Sequence, residues 1–339
     1  MATQVTTLKE RSMLAMPECK IFDHGVCVGP TGAVRPCCAF MTAGIPNMRW
    51  EENWRPRHDA WREESKTKWL DQCIECKQDE EINGDSLRMY YNEELKYAEG
   101  IKYWDLKINN TCNLACRMCD PTSSSIWQQI ATADTDKQLA SHYHNKVTGK
   151  WHKEAKDFLY RMVDASHVKF TGGEPFLIPQ VKKIIEGLID MDVAAAVNLQ
   201  MITNGTHNIS QWNHLFAKFK RVNISISLDA IGKRYEYIRP GASWEQVSTN
   251  VLEWNASKGK NSNIWITALP MILNKDHLWE IEEWCSTNKL DFGTASPCIN
   301  PAFLRTTAWE DPKLRVKFIQ QMEILDKLHN TNWRDFINE

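Results

Sequence analysis

No stretch of this chain is apolar for long enough to cross a bilayer, and its N-terminus lacks the apolar run of a signal peptide. The sequence therefore predicts a cytoplasmic protein with no membrane partner. Charge of one sign is also lacking. Lys and Arg total 41 against 43 Asp and Glu, a net charge of −2, so no broad nucleic-acid footprint is expected. There is no internal repeat and no low-complexity tract. What is present in quantity is cysteine. Eleven cysteines, an odd number, in 339 residues without an export signal argue for metal binding over a disulfide framework. The length suffices for one large domain and a smaller one. Fifteen tryptophans are spread along the chain, most of them expected in packing and a few lining a cleft.

Three thiols fall within eight residues, Cys112, Cys116 and Cys119. They follow an alternating segment, Tyr103 to Ile108, that reads as a strand. Iron–sulfur clusters are held by Cys thiolates, usually four. One loop supplying three would leave one iron open to a small molecule. Closed zinc sites more often use paired Cys-x-x-Cys or Cys/His knuckles, and no fourth ligand sits nearby. Downstream, Thr171-Gly172-Gly173-Glu174-Pro175 ends a second strand and Thr203-Asn204-Gly205 ends a third. Ser225-Ile226-Ser227-Leu228-Asp229 forms a fourth, with Arg239 shortly after.

This Cys-x3-Cys-x2-Cys loop and the motifs after it, in that order and over roughly residues 101–300, resemble the radical S-adenosylmethionine (SAM) enzymes. The resemblance implies that Cys112, Cys116 and Cys119 hold a [4Fe–4S] cluster whose fourth iron takes the methionyl part of SAM. It places Gly172, Gly173, Glu174 and Pro175 at the methionyl amino group, with glycine letting backbone approach closely and Glu174 as acceptor. Asn204 and Ser227 fall at ribose and methionine contacts, and the planar fork of Arg239 at the SAM carboxylate. Ser225 and Asp229 rival Ser227, and Asp229 is also a candidate for substrate contact. The bland alternative for Gly-Gly-Glu-Pro is an ordinary strand-to-helix turn. The implied chemistry is reductive cleavage of SAM to a 5′-deoxyadenosyl radical that abstracts hydrogen from an unreactive carbon. No other catalytic residue is identified.

The first hundred residues carry Cys19, Cys27, Cys37, Cys38, Cys73 and Cys76. A hairpin is expected around Pro30-Thr31-Gly32, then an amphipathic helix between Trp50 and Trp69, then the Cys73-x-x-Cys76 knuckle. The pattern resembles the twitch and SPASM modules that bind auxiliary clusters, although those usually follow the core and this one precedes it. The resemblance implies an auxiliary [4Fe–4S] cluster on Cys19, Cys37, Cys73 and Cys76. Cys38 is the alternative to Cys37, and a four-thiolate zinc site is the alternative to the cluster. Cys27 reads as a small buried residue, as do Cys285 and Cys298. A four-Cys cluster suits electron transfer, accepting an electron from a product radical and making the net reaction an oxidation.

Strand and helix patterns then alternate. Strands are expected at 102–108, 167–171, 197–203, 222–228, 264–269 and 291–296. Helices are expected at 153–163, 181–191, 210–220, 244–257 and 277–288. Such alternation argues for a parallel α/β sheet, and the resemblance implies an open, partial (β/α)6 TIM-type barrel with its site at the C-terminal strand ends. The expected organisation is a Cys-rich α+β module over 1–100, a core over 101–300 and a C-terminal helical segment over 301–339. Residues 312–329 carry apolar groups at helical spacing, and Trp333 to Ile337 is a tail able to dock. His142 and His144 lie in a polar loop expected over 131–150. The expected partners are a reductant such as flavodoxin or ferredoxin and a peptide or polar small-molecule substrate. Two rivals remain. One is a non-enzymatic zinc or iron–sulfur scaffold or electron carrier, which would need no SAM pocket. The other is a methyltransferase-type radical enzyme, for which no cobalamin-type domain is visible.

Overall fold

Alternation of apolar and polar residues sets the central sheet. In the computed structural model, which describes residues 17–41, 48–50, 53–140 and 154–337, nine strands form one sheet among the described residues. They are β1 (Gly25–Val28), β2 (Ala33–Arg35), β3 (Met48–Arg49), β4 (Tyr103–Leu106), β5 (His167–Phe170), β6 (Asn198–Thr203), β7 (Arg221–Ser227), β8 (Ser262–Ala268) and β9 (Asp291–Thr294). Their spatial order is β3-β2-β1-β4-β5-β6-β7-β8-β9. From β4 to β9 every neighbour pair is parallel and consecutive in the chain, as strand–helix alternation requires. The ends, β3 and β9, do not pair, so the barrel stays open.

Pairing register separates the faces of the sheet. Leu199, Met201, Val222, Ile224, Ile226, Ile264 and Ile266 alternate along β6 to β8 and are buried in the main core. One register row on the opposite face reads Cys27, Asp105, Lys169, Gln200, Asn223 and Asn263. A slip by one residue would exchange the two sets, so burial of the apolar face fixes the register.

The longer helices are α1 (Arg55–Ser65), α2 (Ile74–Asn83), α3 (Leu87–Glu94), α4 (Ser125–Ala133), α5 (Pro179–Asp190), α6 (Gly232–Ile238), α7 (Trp244–Ser257), α8 (Leu278–Thr287) and α9 (Pro312–His329). The helix expected at 153–163 contracts to Lys156–Leu159, and the one at 210–220 splits into a 3-10 turn and a single α turn. The last helix has the expected span. Asp311 caps it by accepting from the N–H groups of Lys313 and Leu314, Pro312 opens it, and Asn330 ends it at φ +52°. Trp333 of the tail is fully buried and Phe336 stacks on Tyr237 at 4.3 Å between centroids.

The N-terminal hairpin does not stand apart. β1 pairs in parallel with β4, so the segment before residue 100 continues the sheet of the core. Cys285 and Cys298 are buried in the main core, and Cys27 is buried in β1 opposite Asp105. His142 and His144 lie outside the described residues. No described helix is long and apolar enough to cross a membrane.

Candidate functional site

The cysteine loop follows β4 and is held from several sides. Ser124, the N-cap of α4, donates to the Leu114 carbonyl at 2.6 Å, and Trp127 Nε1 donates to the Cys116 carbonyl at 2.8 Å. Ser125 Oγ accepts from the Cys112 N–H and donates to its carbonyl. The Ala115 and Arg117 N–H groups donate to Pro240 and Ile238 carbonyls. The loop expected over 131–150 begins later, because α4 runs to Ala133.

Arg117, inside the loop, is buried. Its Nε donates to the Tyr237 carbonyl at 2.8 Å, while Nη2 reaches Asp326 of α9 at 3.0 Å and Thr331 at 2.8 Å. The guanidinium lies 3.9 Å over the Tyr237 ring. The C-terminal helix thus braces the cysteine loop through a buried ion pair.

The downstream motifs converge on the same loop. Gly172 and Gly173 have φ of +75° and +55°, and a Cβ on Gly173 would stand 2.3 Å from the Thr111 carbonyl oxygen. The Glu174 N–H donates to that same oxygen at 2.7 Å. The glycine therefore allows the motif to close on the backbone just before Cys112. Glu174 is fully buried, and its carboxylate accepts from Thr203 Oγ1 and Asn204 N, both at 2.7 Å, and from Phe176 N at 3.2 Å. Burial raises its pKa to about 7. In this arrangement its oxygens tie two motifs together. Pro175 opens the turn that follows.

Asn204 Nδ2 donates to Asn113 Oδ1 at 3.0 Å and lies 3.9 Å from Cys112 Sγ. Ser227 ends β7 opposite Thr267, while Ser225 shares a 2.7 Å hydrogen bond with Thr267 Oγ1. Arg239 is paired with Asp229 beside the cysteine loop. Its Nε and Nη2 stand 2.8 and 2.6 Å from Asp229 Oδ2, and Nη1 lies 3.7 Å from Cys116 Sγ. Asp229 is fully buried in this pair.

The donor set suits an iron–sulfur cluster. A hydrogen bond from Cys119 pulls the Cys116 thiol below its ordinary range, and the same bond pushes Cys119 well up. Burial raises Cys112 to about 11. Soft sulfur donors with N–H groups aimed at two of them are the environment such clusters use.

A second cysteine set gathers in the N-terminal segment. Cys19, Cys37, Cys73 and Cys76 line one apolar cavity with Phe22, Phe40 and Tyr91. Burial pushes Cys19 and Cys73 to about 12 and also raises Cys37 and Cys76. Cys38 turns elsewhere, with Lys169 Nζ at 3.5 Å from its sulfur. Among the described residues no three His, Cys, Asp or Glu side chains stand close enough to hold a single metal ion.

The Radical SAM superfamily model matches residues 106–285. The chain belongs to the radical SAM superfamily. Among solved structures it is similar to anSMEcpe with bound AdoMet, at 16% identity and a TM-score of 0.45, covering 67% of this chain and 61% of that one. It is also similar to Streptococcus suis SuiB bound to S-adenosylmethionine, at 15% identity and TM-score 0.44, covering 83% and 60%. Escherichia coli coproporphyrinogen III oxidase, HemN, follows at 13% and 0.37, covering 67% and 52%. The chain spans about three fifths of the length of the first two. No curated protein matches its sequence.

Proposed function

We propose that this chain is a radical SAM oxidoreductase or maturase in which Cys112, Cys116 and Cys119 hold the SAM-binding [4Fe–4S] cluster. The observation that carries the reading is the closure of two strand-end motifs, at Gly173 and Asn204, and of Arg239 at the end of α6, onto one three-cysteine loop. A scaffold or electron carrier needs no such convergence. When bound and reduced, the cluster supplies the electron that cleaves SAM to methionine and a 5′-deoxyadenosyl radical. The chain's own residues then have definable tasks. Glu174 ties the Gly-Gly-Glu-Pro turn to Asn204, and Asn204 in turn bonds Asn113 of the loop. Ser227 ends β7, and the task assigned to it is contact with the nucleoside. Burial of Cys116 limits water at the cluster.

We further assign an auxiliary [4Fe–4S] cluster to Cys19, Cys37, Cys73 and Cys76, in a twitch- or SPASM-like segment over 1–100 preceding the 101–300 core. What supports it is a shared cavity with four thiols and an apolar wall, and the turn of Cys38 toward Lys169 favours Cys37. A fully Cys-ligated cluster serves electron transfer, and the net reaction is oxidation or crosslinking of a peptide or a polar small molecule. A flavodoxin- or ferredoxin-type reductant supplies the electron.

The test is anaerobic reconstitution with assay of iron, sulfide and zinc, then addition of SAM and a strong reductant. The expected result is about eight irons per chain and 5′-deoxyadenosine from the wild type, and about four irons and no nucleoside from the Cys112/Cys116/Cys119→Ala variant. Cys38→Ala keeps full iron and Cys37→Ala loses about four. Zinc in the protein and no nucleoside would sink the enzyme reading.

A further inference from the structure

Arg239 offers an observation the family reading does not absorb. It ends α6 and is buried with Asp229 and Cys116. Two of its nitrogens converge on the single oxygen Asp229 Oδ2. Asp229 is itself fixed, since Oδ1 accepts from the Leu269 N–H at 2.8 Å and its carbonyl accepts from Asn274 at 2.8 Å. The loops after β7 and β8 thus hold the carboxylate, and the carboxylate holds the guanidinium. The remaining arm, Nη1, is left at 3.7 Å from Cys116 Sγ. A planar fork pinned on one side presents its other edge in a defined direction. The pair is neutral overall, but its positive end, Nη1, faces the sulfur, while the carboxylate oxygen lies on the far side of the fork. Cys112 differs, because its neighbour, Asn204 Nδ2, is a neutral donor.

We propose that Arg239 is a positioning residue for the cluster rather than an anchor for the SAM carboxylate: pinned by Asp229, it donates to Cys116 Sγ and raises the reduction potential of the SAM-binding cluster. The proposal rests on Cys112, Cys116 and Cys119 being the cluster ligands. Reduction adds negative charge to the cluster and its thiolates. A cation and an N–H donor at one sulfur stabilise the reduced state more than the oxidised one. Arg keeps its charge at any working pH, so the effect does not titrate away.

The experiment is a potentiometric titration of anaerobically reconstituted, full-length protein, following the EPR signal of the reduced cluster. The signal that changes on adding SAM identifies the SAM-binding cluster. Arg239→Gln moves its midpoint to more negative potential, and Arg239→Lys, which keeps the charge, moves it less. Arg234→Gln leaves the midpoint in place, because Arg234 lies on the same helix but donates to the Leu273 and Phe336 carbonyls. SAM affinity, read from the same spectral change, shifts by less than about threefold in Arg239→Gln. An unmoved midpoint with a loss of SAM affinity of about tenfold or more puts the guanidinium on the ligand and overturns the proposal. Iron, sulfide and melting temperature are measured first, since Arg239→Gln leaves Asp229 buried without its partner. If that variant does not hold iron, Arg239→Gln/Asp229→Asn removes both charges and its midpoint decides the same question. A SAM-responsive signal that persists in the Cys112/Cys116/Cys119→Ala variant overturns the ligand reading itself, an outcome separable from an unmoved midpoint.

Discussion

His58 lies fully buried in α1 between Trp54 and Trp61, at centroid distances of 4.7 and 5.8 Å, and neither ring nitrogen has a hydrogen-bond partner among the described residues. Burial holds its pKa down to about 3, with Arg55 adding to the effect. A base whose folded pKa is depressed contributes stability above its unfolded value, near 6.5, and loses it as pH falls toward the folded one. The protein is therefore expected to lose stability between about pH 6.5 and pH 3, by on the order of 4 kcal/mol in full. His58→Phe should flatten that limb in denaturant titrations at several pH values, and an unchanged slope would count against the buried neutral imidazole. Gly173 makes a second residue-scale case. Its positive φ and the Thr111 oxygen where a Cβ would fall leave no room for a side chain. Gly173→Ala should cost about 1–3 kcal/mol in strain and lower iron retention at the three-cysteine loop, read by thermal unfolding and iron assay.

At the scale of elements, the contact that matters most is between α9 and the cysteine loop. Arg117 and Asp326 are both buried, and Asp326 also accepts from Thr331 Oγ1 at 2.7 Å and from the Trp333 N–H. Removing one partner strands the other without water. Asp326→Asn is expected to destabilise by about 3–5 kcal/mol, while Arg117→Met/Asp326→Asn costs less than the sum of the singles. Urea titrations of the four proteins in the cycle check this, and simple additivity would show that the pair is not coupled. The strands permit a contrast between faces. Ile224 is fully buried at the centre of β7, so Ile224→Ala should cost about 2–5 kcal/mol. Its neighbour Asn223, on the polar face and bonded to Asn263, should tolerate Ala at about 1 kcal/mol or less.

For the molecule as a whole, the continuous sheet decides what can be separated. β1 pairs along the full length of β4 from Gly25↔Tyr103 to Val28↔Leu106, and Val26 and Val28 belong to the main core. A fragment starting at residue 101 would expose β4 as a long unpaired edge beside uncovered apolar side chains. It should express as aggregate or as a partly folded chain without sharp thermal unfolding. A monomeric fragment with a cooperative transition would show that the N-terminal segment is an independent unit after all. The cavity lined by Cys19, Cys37, Cys73 and Cys76 borders this junction, since Tyr91 in its wall meets Tyr103 of β4 at 5.1 Å.

Much of the core was legible in the sequence because its information is local. Alternation along 198–203 and 221–227 marks strands wherever it occurs, and the apolar spacing of 312–329 marks a helix with a cap at each end. The loop of Cys112, Cys116 and Cys119 was legible for the same reason, since three ligands in one turn need no distant partner to be noticed. The roles of single polar groups were not legible. Glu174 and Arg239 could be placed near the loop by their motifs, but a carboxylate or a guanidinium serves whichever neighbour comes within hydrogen-bond reach. Tertiary packing gave Glu174 to Thr203 and Asn204, Arg239 to Asp229 and Cys116, and Arg117 to a helix more than two hundred residues away. It also turned Cys37 into the cavity and Cys38 toward Lys169, a choice between adjacent identical residues that no local pattern contains. Sequence by itself determined the strands, the loop and the order of the motifs, because these follow from periodicity and spacing. Only the tertiary structure decided which polar group faces which, because hydrogen bonds form between atoms close in space and not between residues close in the chain.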